Sequence, residues 1–467
     1  MKKIKYIVLG CFTLIFSACG EDFLTLPPQE DLDNVNSLNT YEKLLVATRG
    51  MYVDLRQLEY YGRGMTAFPE IAADAIKLNP SNSNRYVFNY NYSLSPINTQ
   101  TALWNDAYET ISLANLILAA IENGVSGGTA DELNHLKGEA LFVRALGHFD
   151  LVRIFAQPYA FTADASHLGI PIMLKSEIGQ PARNTVAEVY TQVIQDLEAA
   201  QDLMANTGAP YQASKSAVNA LLSRVYLTRA KDNTDLQNAA DRANEVMSAG
   251  FNLVPTANYV NSWKSEGTSE SILELRFLPF ESRGSDGLGA IYTEEGYGDL
   301  LPTQDIIGLY DNVNDIRRGF FRTIGGTVYT YKYPGRNQVG LDNPRLIRLA
   351  EVILNKAEAH ARLGQDADAR TEVNKIKSRA NITTLDGATT GAALITEIKQ
   401  ERRRELAFEG HRWFDIKRYG EALVVNDCIR TNPNACNLAA GNFLFAYPIP
   451  RREINANPNI QQNEGYQ

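Results

Sequence analysis

Glu401, Glu405 and Glu409 recur at every fourth position of the stretch LITEIKQERRRELAFEGHRWFDIKRYG (Leu394 to Gly420), with Arg402, Arg403 and Arg404 between the first two and Arg412 just after the third. On a helix the three carboxylates form one column, where like charges repel by roughly 0.2–0.5 kcal/mol per pair unless cations intervene. Such a column could serve acid/base chemistry or sit in a salt-bridge lattice. A general acid must keep its proton near neutral pH. Three adjacent guanidiniums favour the ionised carboxylate instead. The stretch is therefore expected to be a partly buried scaffold helix, with Ile395, Ile398, Leu406, Trp413 and Ile416 on its apolar face.

A second set of residues suits binding. Two regions lack a helical period: Tyr60 to Thr101, with YYGRGM and KLNPSNSNRYVFNYNYSLSP, and Val254 to Asn343, with Trp263, Tyr292, Tyr297, Tyr310, Tyr329, Tyr331 and Tyr333. The first is rich in Asn, Ser, Pro and Tyr and the second in Gly, Asp, Asn and Tyr, and both are expected to be loops, apart from a short strand where Val328 to Tyr333 alternates. A stretch of about ninety residues without helix inside a helical chain is seldom idle connection. A sugar offers C–H faces to aromatic rings and hydroxyls to polar side chains. Aromatic loops carrying polar residues such as Lys77, Asn79, Asn82, Asn84 and Arg85 have that composition. Trp104 and Trp413 lie in helical patterns and are expected in the core; the pattern around Trp263 decides nothing.

The elements that would position these loops are helices. Apolar periodicity predicts them at Tyr41–Leu58, Leu103–Asn123, Ala130–Phe155, Val186–Met204, Ser214–Ala230, Leu236–Ala249, Leu346–Leu363 and Ala367–Ala380. The last two pairs share an order: an apolar Ala/Leu-rich helix, a short polar turn, then a second Ala-rich helix. That unit of about 34 residues is the tetratricopeptide pattern. The predicted fold is mainly α: tetratricopeptide-like repeats with an irregular, loop-rich ligand-binding part. Repeats are placed at about 41–58, 103–250 and 344–420, and loops at about 60–101 and 254–343, within a single body spanning 19–467.

Lys2, Lys3 and Lys5, an apolar core from Ile7 to Phe16 and the small pair Ser17-Ala18 before Cys19 form a secretory address. The cysteine after two small residues suggests a lipoprotein signal over residues 1–18, with lipid on Cys19 as a peripheral anchor. Removing the three lysines takes the formal charge from −9 to about −12, by subtraction. An acidic chain without a basic stripe argues against nucleic acid as a partner. Cys428 and Cys436 bracket a turn-rich loop, and a disulfide closing it is expected in a chain that leaves the cytoplasm. Two cysteines without nearby histidine are too few for a metal site. There is no HExxH, GxSxG, P-loop or dinucleotide fingerprint, so no cofactor and no catalytic residues are assigned. The five histidines, His135, His148, His167, His360 and His411, are dispersed.

Several stretches together resemble the SusD/RagB family of outer-membrane nutrient-binding lipoproteins. They are CGEDFLTLPPQ from Cys19, HLKGEALFVRALGHFDLVRIFAQPY, SKSAVNALLSRVYL, LIRLAEVILNKAEAHARLG, ERRRELAFEGHRWFDIKRYG and YPIPRREINANPNIQQNEGY. The resemblance implies four tetratricopeptide-like units bearing an irregular ligand part, and no catalysis. It also implies an outer-membrane, cell-surface location and a SusC-type TonB-dependent transporter as partner, to which a captured oligo- or polysaccharide is delivered. Some members of the family serve peptide uptake, so peptide cargo is the alternative. The spacing of Arg63 from Glu70 and Asp74 resembles the family's ligand-side segment. Tyr292 and Tyr297 flank Thr293–Gly296 where the family places aromatic platforms.

Overall fold

The computed structural model describes residues 37–206 and 208–466. The expected leader and Cys19 lie outside the described residues.

The chain is mainly α-helical. Counting helices of six residues or more, these are α1 (Tyr41–Leu55), α2 (Gly64–Ile71), α3 (Thr101–Asn123), α4 (Ala130–Phe155), α5 (Val186–Leu203), α6 (Lys215–Arg229) and α7 (Asn233–Met247). They continue with α8 (Leu349–Arg362), α9 (Asp366–Arg379), α10 (Gly391–Glu405), α11 (Arg412–Tyr419) and α12 (Arg451–Ala456). Side chains set several of the starts. Thr129 and Thr185 open α4 and α5 with reciprocal capping boxes to Glu132 and Glu188. Ser214 and Asp232 accept backbone N–H groups at the heads of α6 and α7. From α3 to α7 each helix packs on the next, α7 continues onto α8, α8 packs on α9 and α10, and α1 lies against α3. Ala217, Ala220, Ala357 and Ala361, small enough for close helix approach, are all buried.

Eight short strands pair two by two, all antiparallel. They are β1 (Ile76–Leu78) with β3 (Leu300–Pro302), β2 (Ser271–Glu274) with β6 (Arg345–Arg348), β4 (Phe321–Ile324) with β5 (Thr327–Thr330), and β7 (Leu423–Val424) with β8 (Asn437–Leu438). The β1–β3 pair, in register Ile76↔Pro302 and Leu78↔Leu300, joins the two loop-rich regions. Around it lies a second apolar core, including Ile71, Tyr259, Trp263, Tyr292, Phe320 and Phe408, separate from the large core of the helices. Trp104 and Trp413 belong to the large core as expected.

Three expectations are corrected. The region 60–101 is not all loop: GMTAFPEI forms α2, although Pro69 interrupts its hydrogen bonding and two glycines precede its apolar run. Leu346–Arg348, expected as the start of α8, is strand β6, because residues 345–348 pair with β2. The stretch from Leu394 to Gly420 is two helices, broken between Glu405 and Arg412, so His411 lies outside both. Phe408 (φ 68°) and Gly410 (φ 82°) turn the chain left-handed there. A Cβ on Gly410 would sit 2.3 Å from Met65 O, so only glycine fits that approach to α2. The buried Glu70 carboxylate holds the break, accepting the N–H groups of Gly410 (2.9 Å), His411 (3.0 Å) and Arg412 (3.4 Å) where α11 begins.

Candidate functional site

The carboxylate column is scaffold. Glu401 and Glu405 lie buried in α10, and Glu409 lies just beyond it with its side chain buried. Arg317 bridges Glu401 at 2.7 Å and Glu405 at 3.2 Å, and Arg348 reaches Glu405 at 2.7 Å and Glu409 at 2.6 Å. Arg379 pairs with Glu405 and, at 2.7 Å, with Glu270. Lys332 pairs with Glu409 at 2.6 Å, Arg404 with Glu401 at 3.0 Å and Arg317 with Asp315 at 2.8 Å. Five carboxylates (Glu270, Asp315, Glu401, Glu405, Glu409) thus meet five cations (Arg317, Lys332, Arg348, Arg379, Arg404). Burial pushes Glu405 upward, but Arg379, Arg348 and Arg317 outweigh it and hold the carboxyl well below its usual range. No proton is left there for a general acid to give. Trp263 is part of this assembly, with Lys332, Arg345 and Arg348 over its ring at 4.8, 4.3 and 5.7 Å.

The residues expected to bind ligand divide. Beyond β1, the 79–85 loop folds back on the segment beyond Ile291 because buried Asp299 ties it down. Ser83 N and Oγ donate to the Asp299 carboxylate at 2.7 and 2.5 Å, and Asn79 N donates to Asp299 O at 2.8 Å. Asn79 Nδ2 also holds Gly298 O at 2.9 Å. Asn79 and Asn82 each accept from the backbone two residues on, at Ser81 and Asn84, which fixes the turns and leaves Asn84 exposed with φ 65°. These contacts carry Arg85 to Tyr297, its guanidinium lying 4.1 Å from the ring centroid and bonded to Asp286. The Tyr297 ring is 47% exposed. Gly298, at φ 55°, brings the Tyr329 ring in behind: a Cβ there would meet it at 2.8 Å. The result is a half-exposed tyrosine with a guanidinium over its ring and the Asp286 carboxylate on that guanidinium.

Tyr292, Arg63 and Lys77 are not on that edge. Tyr292 is fully buried, stacked on Tyr333 at 6.1 Å, and its hydroxyl has no partner among the described residues. It sits in the second core because it follows the turn Gly289–Ile291, whose residues are all buried. As an exposed platform it is withdrawn. Arg63 is 4% exposed, with its donors spent on Tyr86 Oη (2.8 Å), Asp286 O (3.1 Å) and Glu59 (2.5 Å). It braces the backbone that presents Asp286. Lys77 is committed to Asp427 at 2.6 Å, next to the Cys428–Cys436 disulfide, whose Cα atoms are 5.9 Å apart. The sequence reading missed Asp286 and Asp299. Neither stands out by type, and the signal that marks them is contact with the loop 79–85, some two hundred residues away in the chain.

Comparison with known proteins bears on the whole chain. Residues 318–466 match the SusD family, and residues 22–227 match the family described as "Starch-binding associating with outer membrane". A SusD-like protein P2 of Formosa agariphila is 25% identical, with 100% of each chain covered. The starch-binding protein SusD of Bacteroides thetaiotaomicron is 33% identical over 183 residues, which is 39% of this chain and 31% of that one. Among solved structures, a SusD superfamily protein from Bacteroides thetaiotaomicron superposes with a TM-score of 0.83 at 30% identity, covering 91% of this chain and 99% of its own. Another from Bacteroides vulgatus gives 0.84 at 28% identity, covering 92% and 100%.

Proposed function

The chain belongs to the SusD/RagB family, and from that membership we propose that it is a cell-surface glycan-binding lipoprotein. It captures an oligo- or polysaccharide and delivers it to a SusC-type TonB-dependent transporter in the outer membrane, anchored by lipid on Cys19. It works by binding, without catalysis. The observation that carries the reading is the half-exposed Tyr297, with Arg85 of the pinned 79–85 loop over its ring and Asp286 bonded to that guanidinium, beside the β1–β3 pair. An aromatic face beside fixed hydrogen-bonding groups is what a pyranose needs, and a rigid base lowers the ordering cost of binding.

The test is calorimetric titration of the mature chain with plant, fungal and host polysaccharides and with mixed peptides. Saturable heat from one glycan class, lost in Tyr297→Ala, supports the reading. Heat from peptides alone, lost in Tyr297→Ala, would transfer the protein to peptide uptake. A Cys19→Ala variant should leave the membrane fraction, and its retention there would refute the lipid anchor.

A further inference from the structure

A cleft of about 400 Å³ lies between α3, the segment 171–181 and α12, away from the Tyr297 edge. That is within the roughly 300–1,000 Å³ usual for ligand sites. Its walls are fixed from both sides. On the α3 side, Tyr108 Oη donates to Pro171 O at 2.9 Å, Asn115 Nδ2 to Met173 O at 3.0 Å, and the Ser112 and Ser176 hydroxyls meet at 2.6 Å. On the other side, Gln180 Nε2 donates to Ala456 O at 3.0 Å and Asn457 Nδ2 to Pro181 O at 2.8 Å. The cleft is thus formed in advance of any ligand.

Its floor is apolar, with Trp104, Met173 and Ile460, and its rim carries Glu109, Glu177 and Glu453 against the single cation Lys175. None of these four charges makes an ion pair among the described residues, although buried carboxylates elsewhere in the fold, such as Glu351, Glu358 and Glu405, are matched to arginines. The nearest buried cation, Arg183, spends its donors on backbone carbonyls, and Arg451 and Arg452 are exposed and do not line the cleft. Asp106, on α3 beside Glu109, feels the same excess: burial, then Glu109, Glu59 and Asp54, push it up to about 6. Trp104 is 2% exposed and presents no face for a sugar to stack on, and Tyr108, partly buried, is committed through its hydroxyl to Pro171 O. At the lip, Leu174 and Ile178 stand exposed on the fixed segment.

We infer that this cleft docks a basic segment of a partner polypeptide, taking one lysine or arginine side chain among Glu109, Glu177 and Glu453 while Leu174 and Ile178 hold the flanking apolar residues. Charge chooses this occupant over the chain's own N-terminal stretch, since Gly20 to Asn36 carries five carboxylates and no lysine or arginine. The probe is an acetylated, amidated pentapeptide, Leu-Arg-Tyr-Lys-Leu, titrated into the mature chain beside the same peptide with glutamate at both basic positions. The basic peptide should bind, more weakly as salt rises from about 50 to about 500 mM, and the acidic one should not. Glu109→Gln combined with Glu453→Gln should weaken binding about tenfold or more, while Tyr297→Ala leaves it unchanged. Four outcomes overturn the inference: no binding, equal binding of both peptides, indifference to the double substitution, or displacement of the peptide by a neutral oligosaccharide. A negative result with peptides and a positive one with glycans at Tyr297 would sink this inference and leave the proposed function standing.

Discussion

Arg379 lies over the ring of Tyr259 at 3.5 Å, and Arg85 lies over the ring of Tyr297 at 4.1 Å. The two pairs use the same side chains in the same stacked arrangement. Inside, Tyr259 is 1% exposed, its hydroxyl donates to Glu405 at 2.9 Å, and Arg379 is held by Glu270 and Glu405. The Tyr259 hydroxyl and both terminal nitrogens of the Arg379 guanidinium have their partners within the protein. Outside, Tyr297 is 47% exposed and Arg85 braces its ring, so aromatic surface remains for a ligand. An arginine–tyrosine stack is therefore scaffold or site according to what its neighbours leave open, and its chemistry alone does not say which.

The largest effect should come from breaking the inner assembly. Glu405→Ala removes the carboxylate shared by Arg317, Arg348 and Arg379 and leaves buried charge unmatched. It should cost about 3–5 kcal/mol, since losing one partner of a buried pair strands the other. Urea unfolding measures it, and a loss below about 1 kcal/mol would mean the lattice is not the prop it looks to be.

Glu70 sharpens the same contrast, as a buried carboxylate with backbone N–H groups around it but no cation. Burial raises it to about 7, against the opposing pull of the N–H groups of Phe408, Arg412, His411 and Gly410. Because the folded value exceeds the unfolded one, near 4.5, the folded state binds the extra proton. Its contribution is full below pH 4.5 and is lost as pH rises towards 7, on the order of 3 kcal/mol across that window. Glu70→Gln should flatten that part of the stability–pH curve. A curve parallel to the wild type's would refute the raised pKa. Glu358 behaves oppositely: burial raises it, but Arg418, Arg402 and Arg362 prevail and bring it to about 2, so its contribution holds above pH 4.5 and fades as pH falls towards 2.

At the outer pair, Tyr297→Ala should weaken glycan binding about tenfold, near 1.4 kcal/mol, while moving stability by less than about 0.5 kcal/mol. Calorimetry and thermal melting on the same sample separate the two. The smallest effect belongs to Tyr292→Phe. Its hydroxyl is buried without a partner among the described residues, so removing it should leave binding unchanged and stability equal or slightly higher. A measurable loss of binding would return Tyr292 to the site.

Much of this was legible in the chain. The helices from Ala130–Phe155 to Asp366–Arg379 follow from apolar periodicity, although α7 starts at Asn233, ahead of the expected Leu236, where Asp232 caps it. The arginine-rich run between Glu401 and Glu405 announced a lattice. The break after Glu405 was hidden because Leu406, Trp413 and Ile416 continue a helical spacing, while the turn is imposed by α2 packing against Gly410. Of the proposed ligand residues, Arg85, Asn84 and Tyr297 reach the exposed edge, Asn79 and Asn82 build its turns, and Arg63, Lys77 and Tyr292 are bound up within the protein.

The sequence by itself determined the helical class, the repeat grammar, the charge logic of the Glu401–Glu409 column and two regions poor in helix, which the fold joins at the β1–β3 pair. Those properties are local: they depend on periodicity, capping and charge spacing within a few turns. Which tyrosine faces solvent and which arginine stacks on it was decided only in three dimensions. Tyr292 and Tyr297 stand five positions apart in one loop, and only their packing against Tyr333 or Arg85 tells core from surface.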